Sequence, residues 1–253
     1  MSATFVSVNV CALDSWAKSA KLSTDEDARI KRIAGACKDV GADVIQVNEL
    51  VTYQNAQVFA KAMGWGDSLG VDTKTGKINL KKGDSCILKG SGHVGVAQGF
   101  IWNPDVLQPY WAKEIDTYPG WDRNRYAVAM RAFLEGKRVG LGSVHLEFYP
   151  KGTNNKPRYD DIRYEQMDGF FEEVKSPNQS WLVLGDQNHA ENDKPDAPGK
   201  AAFKHGLVGV GIPSFIIRAQ RTKDIKVGKP RMVALGKATD KPMLVIPDVT
   251  VPR

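Results

Sequence analysis

The sequence is poor in cysteine and histidine and has no long apolar run. Its three cysteines, Cys11, Cys37 and Cys86, are odd in number and show no CxxC spacing. That excludes a disulfide scaffold and a thiolate zinc site, and it fits a reducing compartment. Nowhere do about 18 apolar residues follow one another, the length a membrane helix needs. The opening MSATFVSVNV lacks a basic stretch followed by an apolar core, so the expectation is a soluble, cytoplasmic protein with no membrane partner. No GxSxG surrounds Ser180 or Ser214, which removes a serine-hydrolase elbow. Gly206, Gly209 and Gly211 do not have the GxGxxG spacing, and no strand–loop–helix frames them, so a dinucleotide fingerprint is excluded as well. No internal repeat or low-complexity linker is present.

What is there is an ordinary globular composition. A chain of 253 residues is long enough to bury a substantial core, and a single domain over residues 1–253, acting as a monomer, is expected. The formal net charge of +6 favours acidic partners such as nucleic acid or phosphorylated compounds, and says nothing of the fold. Lys74, Lys77, Lys81, Lys82 and Lys89 form a dispersed basic patch in one loop-rich stretch.

Local patterns give βα units mixed with hairpins. Thr4 to Val10 alternates as a strand. Ser23 and Glu26 have capping-box spacing ahead of Ile30, Ile33, Cys37 and Val40, which recur at helical spacing up to Gly41. Asp43 to Val47 is a second strand, running into Asn48-Glu49, and a short helix follows over Gln54 to Met63. Cys86 to Leu88, Val94 to Trp102, Arg125 to Phe133 and Arg138 to Leu146 read as strands, the last two joined by a Gly-containing hairpin turn. Asp160 to Val174 is helical, Trp181 to Leu184 is a strand, and residues 190–200 are a polar Pro/Gly loop. Phe215 to Ala219, Met232 to Leu235 and Met243 to Ile246 are further strands. The fold class is therefore α/β or α+β. The loops 64–85, 103–124 and 147–160 remain as candidate rim segments. The aromatics Trp102, Tyr110, Trp111, Tyr118 and Trp121 lie near Lys113, Arg123 and Arg125. They suit either a base-stacking surface or packing between sheets.

Polar residues gather where strands stop. Asn9, Glu49, His145, Asp186, Asn188 and Asp240 all fall at or just beyond an apolar strand, and in layered sheets such ends converge on one rim where ligands bind. Asp or Asn after a strand is by itself a turn former, and a His inside Val144-His145-Leu146 is by itself an ordinary core residue. Their joint occurrence is what turn chemistry does not explain. Three carboxylates, two amides and an imidazole form an oxygen-rich set suited to a hard divalent cation such as Mg²⁺.

In order along the chain, VNV at Asn9, DVIQVNEL at Glu49, NRYAV at Arg125, VHL at His145, LGDQN at Asp186 and Asn188, and TDKP at Asp240 resemble the endonuclease/exonuclease/phosphatase superfamily of deoxyribonuclease I-like proteins. The resemblance implies a four-layer α/β sandwich, two mixed sheets face to face with helices outside, and a metal (Mg²⁺ or Mn²⁺) at the rim. It implies that Glu49 is the principal metal ligand, assisted by Asn9 and Asp240. Asp186 would orient or deprotonate the attacking water, Asn188 would hold that water or a phosphate oxygen, and Arg125 and His145 would contact the phosphate. The implied activity is that of a metal-dependent phosphodiesterase or nuclease, with nucleic acid as the favoured substrate. Abasic-site, non-specific nuclease and phospholipid or inositol-phosphate specialities stay open.

The sequence departs from that pattern at its end. The family's Ser-Asp-His is Thr239-Asp240-Lys241 here, and Ser214 stands where an Asp usually orients that His. The strand-final Gln-Glu is Asn48-Glu49. Two readings stay open: Lys241 supplies a fixed positive charge to the phosphate in place of an imidazolium, or the protein binds nucleic acid or a phosphorylated ligand without cleaving it. His189 and His205 are the other imidazoles available to replace the lost one.

Overall fold

The computed structural model describes residues 2–11, 25–50, 52–72, 74, 77–90, 97–117, 126–147, 156–174, 179–189, 196–210, 212 and 215–251. Its strands are β1 (Ala3–Asn9), β2 (Val44–Leu50), β3 (Cys86–Gly90), β4 (Ala97–Trp102), β5 (Leu107–Asp116), β6 (Tyr126–Leu134), β7 (Lys137–His145), β8 (Trp181–Asp186), β9 (Leu207–Val210), β10 (Ile217–Thr222), β11 (Arg231–Val233) and β12 (Met243–Val249). The described helices are α1 (Glu26–Asp39), α2 (Tyr53–Met63), α3 (Lys156–Val174) and α4 (Ala197–Lys204).

The strands form two six-stranded sheets, ordered β11-β12-β1-β2-β4-β3 and β5-β6-β7-β8-β10-β9. Each is antiparallel except for one central parallel pair, β1 with β2 in the first and β7 with β8 in the second. The inner faces meet in one apolar core, where Phe5, Phe100 and Trp102 of the first sheet share a cluster with Met130, Leu141 and Leu182 of the second. On the outer face of the first sheet, Val8, Ile45 and Val47 pack on Ile30 and Ile33 of α1 and Phe59 of α2. On the outer face of the second, Ala129 and Val183 pack on Met167, Phe170 and Phe171 of α3 and Ala201 of α4. Because β1, β2 and β8 are covered on both faces, their apolar runs are nearly unbroken. The expected four-layer α/β sandwich is the observed architecture.

Several local expectations need correction. The N-cap of α1 is Asp25, whose side chain accepts from the Ala28 amide, so the helix does not begin on a Ser23 capping box; Ser23 lies outside the described residues. The presumed loop 103–124 contains the ten-residue strand β5. Among the described residues it pairs only with β6, bears a register shift between Pro109 and Trp111, and leaves several residues half-buried, as an edge strand carrying proline does. The polar stretch 190–200 ends in α4, started by Asp196 as N-cap with proline in its first turn. β9 was not expected at all. Trp102 is a core residue. Trp111 stacks under Arg131 at 4.7 Å, and Lys113 pairs with Glu173 at 2.7 Å. Tyr118, Trp121, Arg123, Arg125 and Ser214 lie outside the described residues. Within the basic patch, Lys89 is paired with Glu114 at 2.7 Å.

Candidate active site

Parallel pairing places the site. In register, Asn9 ends β1 opposite Asn48 of β2, and His145 ends β7 opposite Asp186 of β8. The two central parallel pairs therefore finish at one rim, one in each sheet.

Glu49 arrives there by a bulge. Val47 pairs with Gly99 and Leu50 with Ala97, so Asn48 and Glu49 together face the single residue Gln98. Such a bulge re-aims a side chain, and Glu49 accordingly has φ 63°. Asn188 has φ 49° and Cys11 has φ 51°, so three non-glycine residues around the rim hold left-handed backbone. Asparagine tolerates that region; Glu and Cys are uncommon there and are held by their surroundings.

Five side chains pin these segments. Arg29 of α1, fully buried, donates to the carbonyls of Val10 at 3.2 Å and Cys11 at 2.6 Å. Thr239 Oγ1 donates to the Asn9 carbonyl at 2.7 Å, tying the loop of Asp240 and Lys241 to β1. On α3, Arg163 Nε donates to the Glu147 carbonyl at 2.7 Å and Gln166 Oε1 accepts from the Glu147 amide at 2.9 Å. The chain leaving His145 is thereby held on both sides. Asn188 Nδ2 donates to the Leu146 carbonyl at 2.8 Å.

The side chains converge on two oxygens. Asn9 Nδ2 donates to Glu49 Oε1 at 2.7 Å and to Asp186 Oδ2 at 2.9 Å. Lys241 Nζ donates to Asp186 Oδ2 at 2.6 Å and lies 3.8 Å from Glu49 Oε1. His145 Nε2 is 3.6 Å from Glu49 Oε1. The other oxygen of Asp186 accepts from the Asn188 amide at 2.9 Å.

The two carboxylates are pushed apart in acidity. Burial raises Glu49 above the ordinary carboxylate range; Lys241 and the Asn9 hydrogen bond oppose the rise, and the charges of Asp186 and Asp240 add to it. Burial acts on Asp186 the same way, but there it is outweighed by Lys241, by His145 and by hydrogen bonds from Lys241 and the Asn188 amide, so its carboxyl lies below the ordinary range. Lys241 is half-buried; burial lowers its pKa, but Asp186 and Glu49 outweigh this and raise it, so it stays an ammonium. Cys11, beside them, is pushed up to about 12 by burial and by the Asp240 and Glu49 charges, which leaves it an inert thiol.

A divalent cation fits this donor set. Glu49, His145 and Asp186 bring ligand atoms within 4.8 Å of one another, and two carboxylates with an imidazole are donors that divalent cations accept. The set differs from the expected one of Asn9, Glu49 and Asp240. Asn9 turns its NH₂ to the carboxylates because its Oδ1 accepts the Cys11 amide at 2.9 Å. Asp240 is exposed and acts on the cluster as a nearby charge. With Lys241 it lines an adjoining cavity of about 450 Å³ walled by Phe215, Met232, Leu235 and Pro242.

Neither spare histidine enters the site. His189 turns away to α3, with Nδ1 3.3 Å from Asp160 Oδ1. His205 caps α4 and faces Asp168 at 2.6 Å. Sequence reasoning gave no role to Asn48, Gln98, Arg163 or Gln166. The last two carried a signal, since they stand at helical spacing on the same face as Met167 and Phe170, where polar residues need a reason.

Two mixed six-stranded sheets packed face to face with helices outside make a fold that the chain shares with solved structures named as endonuclease/exonuclease/phosphatase proteins. Among solved structures, the chain is similar to an endonuclease/exonuclease/phosphatase from Bacteroides vulgatus at TM-score 0.73 and 13% identity, covering 100% of both chains. It is also similar to a mannosyl-6-phosphatase of Bacteroides thetaiotaomicron at TM-score 0.71 and 14% identity, over 98% of this chain and 100% of that one. A third is D. rerio TDP2 complexed with a single-strand DNA product, at TM-score 0.66 and 13% identity, over 97% of this chain and 98% of the other. No protein-family model matches the sequence and no curated protein does.

Proposed function

We propose that the chain is a divalent-metal-dependent phosphodiesterase acting on nucleic acid, working as one domain and a monomer in the cytoplasm. The observation that carries the reading is the convergence of Glu49, His145, Asp186 and Asn9 on one rim, on two oxygens shared between two sheets. When bound, Mg²⁺ or Mn²⁺ would neutralise phosphoryl charge and make attack by water easier. Glu49, Asp186 and His145 are the residues that would hold it, with Asn9 and Asp240 shaping the charge around them.

The remaining work falls to the chain's own groups. Asp186, kept ionised against burial chiefly by Lys241 and His145 and oriented by the Asn188 amide, aligns the attacking water and accepts its proton. Asn188 and Arg125 bind phosphate oxygens. Lys241 places a permanent positive charge beside them, giving electrostatic stabilisation without proton transfer. General acid–base help is worth roughly 10²- to 10⁴-fold, so turnover is slower than an imidazole at this place would allow. The apolar wall next to Lys241 suits the sugar or base of a nucleic-acid strand, and the basic net charge suits its backbone.

A second reading, that the protein binds nucleic acid or a phosphorylated ligand without cleaving it, is favoured by one observation: Lys241 bonds Asp186 directly. Fluorescent DNA, fluorescent RNA and bis-nitrophenyl phosphate, each assayed with Mg²⁺ and Mn²⁺, separate the two. Hydrolysis lost in Glu49→Ala supports the enzyme. Equal rates for wild type and Glu49→Ala at every metal concentration overturn it.

A further inference from the structure

We propose that the Lys241 ammonium is a resident counter-ion of the Asp186–Glu49 pair and sets how tightly the site takes a divalent cation, by competing for the same oxygens. The inference deepens the metal-dependent reading above and rests on it.

The competition follows from which atoms are shared. Asp186 Oδ2 accepts from Lys241 Nζ at 2.6 Å and from Asn9 Nδ2 at 2.9 Å, while Glu49 Oε1 accepts from Asn9 Nδ2 at 2.7 Å and has Lys241 Nζ at 3.8 Å. These two oxygens, one from each sheet, are thus served by an amide and an ammonium. The amide cannot turn its oxygen inward at no cost, since Asn9 Oδ1 accepts the Cys11 amide at 2.9 Å and a flip would set donor against donor. Lys241 is not placed by accident either. Thr239 Oγ1 anchors its loop to the Asn9 carbonyl at 2.7 Å, which puts the Lys241 backbone over the end of β1.

A cation held by Asp186 and Glu49 meets the ammonium at close range. Two positive charges about 4 Å apart in a partly buried setting repel by several times RT, even at an effective dielectric constant of about 20. Either the metal binds weakly or the side chain withdraws. The structure provides for withdrawal: the lysine stem is flexible, the adjoining cavity is lined by Lys241 itself, and the exposed Asp240 carboxylate lies at its edge. The identity of residue 241 therefore bears on cation affinity as well as on turnover.

The test is a Mn²⁺ titration without substrate, read by electron paramagnetic resonance of free Mn²⁺ and by calorimetry, on wild type, Lys241→Met, Lys241→Gln and Lys241→Arg. Removing the charge in Lys241→Met should tighten Mn²⁺ binding about tenfold or more, the factor that about 1.4 kcal/mol of relieved repulsion gives. Lys241→Gln, which keeps a polar amide should the Met variant fold poorly, should move the same way, and Lys241→Arg should stay near wild type. Binding that appears only when the charge is removed supports the proposal most directly. Equal or weaker affinity in both neutral variants, or no Mn²⁺ binding by any of the four proteins, overturns it. Metal-stimulated hydrolysis by wild type with an unchanged Mn²⁺ affinity in the neutral variants would overturn this inference and leave the phosphodiesterase reading standing.

Discussion

Asn48 Oδ1 accepts the backbone amide of Asp186 at 2.8 Å, so a side chain on one sheet fixes the main chain of a site residue on the other. The same side chain spends its Nδ2 hydrogens on Gln98 Oε1 and on the Val144 carbonyl, both at 3.1 Å. It is fully buried and sits on the bulge that aims Glu49. One asparagine thereby joins β2, β4, β7 and β8 at the rim. The geometry between Glu49 and Asp186, which lie in different sheets, depends on it.

Replacing Asn48 by Ala should cost about 1–3 kcal/mol, because the Asp186 amide and Gln98 Oε1 lose their buried partner. Urea unfolding should show a lower midpoint at an unchanged slope, and metal-stimulated phosphodiesterase turnover should fall as well. Full activity in a destabilised variant would mean that the inter-sheet link holds the fold but not the site.

Gly185 precedes Asp186 with φ 147°, and a Cβ there would lie 1.9 Å from the Val144 carbonyl oxygen. The obstacle is backbone of the neighbouring parallel strand, which cannot step aside as a flexible side chain would. Gly185→Ala should therefore destabilise on the order of 3 kcal/mol or more and move Asp186 away from Asn9. A calorimetric midpoint within a degree or two of wild type would refute the steric argument.

Much of this was legible in the sequence, for physical reasons that also mark where legibility stopped. Val44 to Val47 and Trp181 to Leu184 are buried on both faces, so their apolar runs announce strands. β5 carries Gln108, Pro109, Lys113 and Glu114 on an exposed edge, and its pattern reads as loop. Asp196-Ala197-Pro198 combines an N-cap with a first-turn proline, a helix start that the surrounding polar residues concealed. Asn9, Glu49, His145 and Asp186 could be picked out because each closes an apolar run. The Glu49 bulge is set by the pairing of β2 with β4 and the Lys241–Asp186 pair joins residues 55 apart, which no local pattern encodes; the Asn9 amide is turned by the Cys11 amide close by in the chain, a contact that its place at a strand end does not announce.

Arg163 illustrates the cost of a buried charge. Its Nη1 pairs with Asp160 Oδ1 at 3.0 Å, both side chains are almost wholly buried, and burial lowers the guanidinium below its ordinary value even though Asp160 opposes the shift. Arg163→Met takes the guanidinium away from the buried Asp160 carboxylate and frees the Glu147 carbonyl, and should cost about 3–5 kcal/mol. Adding Asp160→Leu should recover part of that, giving a coupling of about 1–3 kcal/mol in a double-mutant cycle. Additive losses would show that the two groups do not act as a pair.

The last prediction concerns acid. His189 is buried against α3, with Asp160 at its Nδ1 and its carbonyl accepting from Arg218 Nη1 at 3.1 Å. Burial lowers its pKa from the ordinary value; Asp160 and Asp196 oppose this, and the charges of Arg163 and Arg218 reinforce it. The folded protein therefore holds a neutral imidazole at a pH where the unfolded chain binds a proton. For a depressed pKa the sign is fixed: this contribution to stability is complete above the unfolded value of about 6.5, and it is lost as pH falls from there through the folded value. His189→Gln keeps an amide of similar reach and removes the titration. Urea midpoints taken from about pH 7.5 down to about pH 5 should fall less steeply for His189→Gln than for wild type. Carboxylate contributions are common to both proteins, so the difference between the two curves isolates the histidine. Parallel curves across that range would mean that His189 carries the same proton occupancy folded and unfolded, and that the buried His189–Asp160–Arg163 cluster shifts nothing.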